Sequence, residues 1–311
     1  MQLIKYSKII QTLLVRISML LCNSEIKKTI RSHICMLVLP AMLCTAAAAD
    51  KEQGIPTSLQ PPAWELLWID EFDGNVLDDS KWTLCERGGS DWQDTMSDDP
   101  RLLKISDGVL HLIGIVNDDK VKDTSPYLTA GVTSRDKFAF KYGRVEIRAR
   151  FKSAQGAWPA LWMLGAQAGW PACGEIDLME HLNFDDIVYQ TVHSEFTVKG
   201  GSADAPKKGG TAKIHRDDWN TYGCEWNAEA IVFTVNGEFT HSYPRVPALG
   251  DNQWPYKQPF YFILSMQIGG EWVNGSGPTN PDHYPAGMEI DWVRVYQQKK
   301  SSTPADGGNS N

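Results

Sequence analysis

The sequence predicts an all-β fold, a single-domain jelly-roll sandwich, on three observations. Short runs of alternating apolar and polar residues recur at close spacing, turn formers separate them, and no helical period is sustained beyond residue 50. There is also no internal repeat of the kind that builds solenoids or propellers.

Taken in order, the predicted strands begin with 109–116 and 131–138. The run 142–151 alternates most cleanly: Val145, Ile147, Ala149 and Phe151 share one face, and Arg144, Glu146, Arg148 and Arg150 the other, as a half-buried strand requires. Next come 187–193 and 230–235, the latter joined to 238–243 by Asn236-Gly237, a dipeptide suited to a two-residue hairpin turn. The runs 260–268 and 288–296 complete the set, and the domain they imply spans 61–298.

The flanks read differently. Lys27, Lys28 and Arg31 precede an apolar stretch over 34–44, and Ala46 to Ala49 follow, so 1–49 is expected to be a removed export signal, with Met19 a better-proportioned start than Met1. The apolar stretch is too short to cross a bilayer as a helix. Lipidation at Cys44 is the alternative, and Leu43 before it is larger than the small residue such sites favour. Residues 50–60 read as a linker and 299–311, rich in Ser, Gly and Asn, as a disordered tail. A secreted, periplasmic or cell-surface monomer is expected.

Without the leader, 24 basic residues face 37 acidic ones, a net charge of −13. Such a chain repels a phosphate backbone, which argues against nucleic acid, nothing in it suggests binding to anionic lipid, and a neutral or weakly charged substrate such as a glycan fits better. Cys85, Cys173 and Cys224 remain, an odd and widely spaced set that argues against both a disulfide framework and a zinc site.

The segment Gly174-Glu175-Ile176-Asp177-Leu178-Met179-Glu180-His181 is the most informative. In a regular strand Glu175 and Asp177 point one way and Ile176 and Leu178 the other, and strict alternation sends Glu180 to the wrong side. One extra residue at Leu178-Met179, a β-bulge, would return Glu180 to the face of Glu175 and Asp177. Three carboxylates then share a surface and raise one another's pKa, which suits a retaining glycosidase that needs one ionised and one protonated carboxyl about 5 Å apart. An exposed acidic strand without chemistry, or three ligands for a cation, would give the same spacing. The neighbourhood favours a sugar cleft: Trp158 and Trp162 lie just upstream, Trp170 closer still, and Trp272 follows Gly269-Gly270. Aromatic faces stack on pyranose rings, so Trp158, Trp162 and Trp272 become candidate substrate contacts, although any single tryptophan is more often core.

The pattern E-x-D-x-x-E over Gly174 to Glu180 resembles the signature of glycoside hydrolase family 16 in its bulged form, shared by laminarinases and agarases. Further blocks agree in order: Trp68 to Gly74, Tyr142 to Glu146, Trp158 to Leu164 and Ile290 to Tyr296. The resemblance implies a curved, concanavalin-like jelly roll, with Glu175 as nucleophile, Glu180 as acid/base, Asp177 as assisting acid, and no cofactor for catalysis. It also implies a structural calcium, for which Glu71, Gly108 and Asp291 occupy the matching positions. Gln267 stands where laminarinases usually have asparagine, and His181 to Asp186 replaces their glycine-bearing loop. The stretch 179–197, with Gln190 and His193, is more similar to members that cut β-galactosides within mucin-type O-glycans. His193 is therefore expected to touch sugar on the leaving-group side, and Gln267 to line the cleft. β-1,3 or mixed-linkage glucan is the alternative substrate, with algal galactans behind it. Two rivals from other classes stay open: a non-catalytic sugar-binding module, and a metal-dependent hydrolase using Glu175, Asp177, Glu180 and His181.

Overall fold

The computed structural model describes residues 63–299. The export signal expected over 1–49, the linker over 50–60 and all but the first residue of the tail lie outside these residues.

Sixteen strands follow in the order β1 (Trp64–Asp70), β2 (Thr83–Leu84), β3 (Leu103–Ser106), β4 (Val109–Val116), β5 (Tyr127–Leu128), β6 (Gly131–Thr133), β7 (Gly143–Phe151) and β8 (Ala157–Gly165). Then come β9 (Glu175–Glu180), β10 (Ile187–His193), β11 (Gly209–Lys213), β12 (Asn220–Trp226), β13 (Ala230–Val235), β14 (Glu238–Pro244), β15 (Phe260–Ile268) and β16 (Ala286–Gln298). The two helices, α1 (Glu195–Val198) and α2 (Glu271–Asn274), are single turns. A nine-stranded sheet runs β14-β13-β12-β7-β16-β4-β3, with β1 added on β16 and β5 on β4, and a seven-stranded sheet runs β11-β10-β9-β8-β15-β6-β2. The chain repeatedly crosses from one sheet to the other, as a jelly roll requires.

Four predicted strands, 109–116, 187–193, 230–235 and 260–268, coincide with β4, β10, β13 and β15. The hairpin forms as its dipeptide dictates: Asn236 and Gly237 both take positive φ, 54° and 79°, and Val235 pairs with Glu238. One expectation fails. The run 131–138 is strand only to Thr133, because Phe138 donates its N–H to the Ser134 carbonyl at 2.9 Å and the Ser134 hydroxyl donates to the Phe138 carbonyl at 2.9 Å, closing a turn where alternation had suggested extension.

The core lies between the sheets. Val145, Ile147, Ala149 and Phe151 of β7 are buried there with Leu161, Met163, Ile176, Leu178 and Met179 of the other sheet. Strand β15 is buried at all positions because its second face is covered as well. Ala160, Trp162, Tyr261 and Ile263 form a small apolar cluster on that face, against which Cys85, Trp92 and Leu164 pack. The segment bearing Cys85 and Trp92 thus stands as a wall above the seven-stranded sheet.

Candidate active site

Strand β9 enters the sheet through Gly174, whose φ is +75° and where a Cβ would meet Pro255 at 2.8 Å and Phe260 at 3.2 Å, so only glycine fits. From there Glu175 pairs with Leu164 of β8 and His193 of β10, and Asp177 with Trp162 and Thr191. The register then slips. Met179 opposes Leu161, the residue next to Trp162, so Leu178 has no partner of its own on β8. On the other side Gln190 alone spans the gap between Tyr189, paired with Glu180, and Thr191, paired with Asp177. This is the expected bulge. Leu178 and Met179 both enter the core, and Glu175, Asp177 and Glu180 all line one cavity. Strict alternation would have put Met179 in the cleft and Glu180 in the core. Burying a methionine stabilises by about 1.5–3 kcal/mol, whereas an unpaired buried carboxylate is strongly unfavourable, so the hydrophobic pattern itself enforces the irregularity.

The cavity measures about 340 Å³ and is lined by Trp92, Trp158, Trp162 and Trp170 around the three acids, with Ser90, Asp91, Ser265 and Gln267 among the polar residues. Each glutamate is held by an indole: Trp170 Nε1 donates to Glu175 Oε2 at 2.7 Å, and Trp158 Nε1 donates to Glu180 Oε1 at 3.1 Å. His193 Nε2 lies 3.8 Å from Glu175 Oε1 and 3.5 Å from Asp177 Oδ2, and the latter oxygen, buried, has no hydrogen-bond partner.

Burial dominates the electrostatics. It pushes Glu175 up to about 7, against the pull of the Trp170 N–H and of a hydrogen bond with Asp177. It pushes Glu180 up to about 8, helped by the charge of Glu175. Asp177 rises well above the usual carboxylate range through burial and then the charges of Glu175 and Glu180, and in its protonated form it can donate to Glu175. Burial, followed by Lys208, lowers His193 to about 4 and keeps its ring neutral.

The other expected site residues divide. Trp158 and Trp162 line the cavity, but Trp162 is floor: it is buried, stacks edge-on against Trp92 and donates to Ser265 Oγ at 3.2 Å. Trp272 is half exposed and packs edge-on against Trp158 and Tyr189, outside the residues that line the cavity. Gln267 lines the cleft yet is fully engaged elsewhere, donating to Asp94 Oδ1 at 2.7 Å and accepting from Thr95 Oγ1 at 2.9 Å, which pins the wall segment to the floor. His193 sits against Glu175 and Asp177, beside the first glutamate.

His181 cannot join the acids as a metal ligand. It is buried on the core side, stacked on Phe151 at 4.3 Å with Nε2 at 2.8 Å from the Asp185 carbonyl oxygen. In place of the glycine-bearing loop, Asn183 takes φ +54°, a left-handed conformation that asparagine adopts more readily than most residues, and its carboxamide is held by long-range bonds, donating to the Val273 carbonyl at 3.0 Å and accepting the Gly156 N–H at 2.7 Å. The calcium set does not fit as it stands: Arg294 binds the Glu71 carboxylate at 2.7 Å and Arg148 binds that of Asp291, so a cation would compete with two guanidinium groups. Gly108 does lie near Glu71: a Cβ placed on it would stand 4.0 Å from the Glu71 main-chain oxygen.

Trp92, Asp91 and Ser90 were missed in the sequence. They precede any recognisable strand pattern, and only an aromatic flanked by turn formers in Gly88-Gly89-Ser90-Asp91-Trp92 marked them. Asp91 Oδ2 accepts the Glu271 N–H at 2.6 Å and so ties the wall to α2.

Comparison with known proteins agrees with this geometry. The model of "Glycosyl hydrolases family 16" matches residues 106–294. A keratan-sulfate endo-1,4-beta-galactosidase of Sphingobacterium multivorum is 37% identical over 247 residues, 78% of this chain, and the chain spans 57% of that protein's length. The laminarinase structure from Rhodothermus marinus superimposes with a TM-score of 0.69 at 33% identity, over 78% of this chain and 100% of that one. A structure from work on endo-acting O-glycanases with which prominent members of the human gut microbiota initiate mucin breakdown gives a TM-score of 0.65 at 32% identity, covering 77% and 93%.

Proposed function

This chain belongs to glycosyl hydrolase family 16, and from that premise we propose that it is an endo-acting retaining glycosidase that cuts internal β-linkages of an extracellular glycan by double displacement. The observation that carries the proposal is the bulge at Leu178, which leaves Glu175 and Glu180 at one cavity, each fixed by its own indole N–H. In the first half-reaction a Glu175 oxygen bonds to the anomeric carbon as the C–O bond to the leaving sugar breaks, and Glu180 gives its proton to the departing oxygen. In the second, Glu180 takes a proton from water, whose oxygen displaces Glu175 from the anomeric carbon. Asp177 donates to Glu175 and keeps the negative charge on the group that attacks. Two carboxyl groups and water complete the cycle.

The substrate we favour is a β-galactoside within mucin-type O-glycans. The similarities to the keratan-sulfate galactosidase and to the O-glycanase structure support it. The likeness to the Rhodothermus laminarinase over its whole length supports β-1,3 or mixed-linkage glucan as the second reading. A sugar-binding module has no use for two carboxyls held at different protonation. Export from the cell remains part of the proposal, on the sequence pattern over 1–49.

The test is to incubate purified protein with mucin O-glycans, keratan sulfate, laminarin and mixed-linkage glucan and to analyse products. Internal oligosaccharides whose first-formed anomer is β are expected. Binding without products would leave the module, and a first-formed α-anomer would remove Glu175 from the role of nucleophile.

A further inference from the structure

We propose that Gln190 is a positioning residue for the reaction: its buried carboxamide holds the bulge that turns Glu180 into the cleft, acting through the main chain of Leu178. The inference rests on the roles given above to Glu175 and Glu180.

In a regular antiparallel pair every residue faces one partner, and the ladder satisfies the main-chain groups. Between β9 and β10 this fails at one place, where Gln190 alone opposes Leu178 and Met179. A surplus residue in one strand leaves main-chain groups without ladder partners. Here the Gln190 side chain takes up the mismatch. Its Nε2 donates to the Leu178 carbonyl at 2.9 Å. The same nitrogen lies 3.3 Å from the Thr234 carbonyl oxygen of β13, and Oε1 accepts from Thr240 Oγ1 of β14. Gln190 is wholly shielded from solvent. Both N–H bonds and the carbonyl oxygen of the amide therefore have partners, the condition under which a core tolerates such a group.

The consequence concerns direction. β13 and β14 belong to the nine-stranded sheet, so the carboxamide ties the irregular point of β9 across the core to the opposite layer. Two residues beyond the anchored carbonyl stands Glu180, whose face depends on the bulge staying at Leu178. Were the irregularity to migrate or relax, Met179 and Glu180 would exchange sides. Gln190 is absent from the cavity lining, so any effect on turnover has to travel through the backbone.

Two substitutions separate this role from general stability. Gln190→Met keeps length and volume and removes both donors, whereas Thr240→Val removes a partner on the far side and leaves the bond to Leu178. For Gln190→Met, kcat is expected to fall about 10- to 100-fold with KM changed by less than about threefold, because misplacing a catalytic group by about an ångström costs on that order. The alkaline limb of the pH profile should move to lower pH as Glu180 leaves its dry site beside Glu175. Thr240→Val should lower Tm while kcat and the alkaline limb stay put. A crystal structure of Gln190→Met should show the Glu180 carboxyl displaced, a readout that holds even if the substrate assignment proves wrong. Should the methionine variant not fold, Gln190→Asn, one methylene short of the Leu178 carbonyl, is measured in its place with the same expectation. Wild-type kcat and pH limb in the Gln190 variant, an unmoved Glu180, or equal losses in Thr240→Val would each overturn the proposal.

Discussion

The two sheets treat their acids in opposite ways. On the nine-stranded sheet acids and arginines meet in pairs: Glu289 of β16 with Arg150 of β7 at 2.7 Å, Asp291 of β16 with Arg148 of β7, Glu146 with Arg144 within β7, and Glu71, just past β1, with Arg294 of β16 at 2.7 Å. On the cleft face of the seven-stranded sheet, among the described residues, Glu175 and Asp177 have only a neutral histidine within ion-pair reach, and Glu180 has no ion-pair partner. Alternation along a strand decides where a carboxylate points. The partners waiting there decide whether it is a solvated ion or a group with a raised pKa. Chemistry at this sheet is a matter of withheld counter-ions.

The largest break in that contrast is to delete a cleft acid. Glu175→Ala is expected to lower kcat by about 10⁴-fold or more, with added azide restoring turnover as a glycosyl azide of inverted configuration, checked by NMR of the product. Ordinary turnover by this variant would remove Glu175 from the mechanism. Glu180→Ala should cost about 10²- to 10⁴-fold on substrates with poor leaving groups and less on activated aryl glycosides.

A pH profile sharpens the contrast without mutation. The proposed double displacement needs Glu175 ionised and Glu180 protonated, so activity should rise as pH passes the lower, near 7, and fall as it passes the higher, near 8. An optimum below about pH 5, where ordinary carboxyls titrate, would show that burial does not set these groups apart.

Stability should carry the same mark with its own sign. A carboxyl whose folded pKa is raised has no penalty below its unfolded value; as pH climbs toward the folded value, the unfolded chain ionises first and gains. Glu180→Gln should therefore match the wild type near pH 4 and exceed it by roughly 1–3 kcal/mol above pH 8, by chemical denaturation. A gap independent of pH would refute the assignment.

Smaller effects come from the indoles and then the outer sheet. Trp170→Phe removes one charge-assisted N–H from Glu175 and should cost about 1.5–3 kcal/mol in kcat/KM, roughly 10- to 100-fold. Arg150→Leu, which breaks a half-exposed pair, should shift stability by no more than about 1 kcal/mol and leave kcat unchanged.

Much of this was legible beforehand, for identifiable reasons. The strands β4, β10, β13 and β15 lie between clear turn signals, and the bulge could be deduced because Ile176, Leu178 and Met179 cannot all be buried by strict alternation with both glutamates in one cleft. Strand β8 is absent from the runs legible in the sequence, since Ala157 to Gly165 is buried at most positions and shows no alternation. The Trp92 wall was invisible for a different reason: its position depends on Gln267 reaching Asp94 and Thr95 across some 170 residues of sequence, and no local pattern encodes such a contact. Trp162 and Gln267 line the cavity, but their side chains are engaged in packing and hydrogen bonds to the scaffold, which no local pattern reveals.

That wall is fastened from below through Asp94 and Thr95 and sideways through Asp91 to Glu271, by bonds in which neither Ser90 nor Trp92 takes part. The hydrogen bonds that anchor the wall thus owe nothing to these two cavity-lining side chains, although Trp92 adds packing against Trp162. Variation at those two positions can therefore reshape the cavity mouth without cutting the bonds that anchor the segment to the sheet.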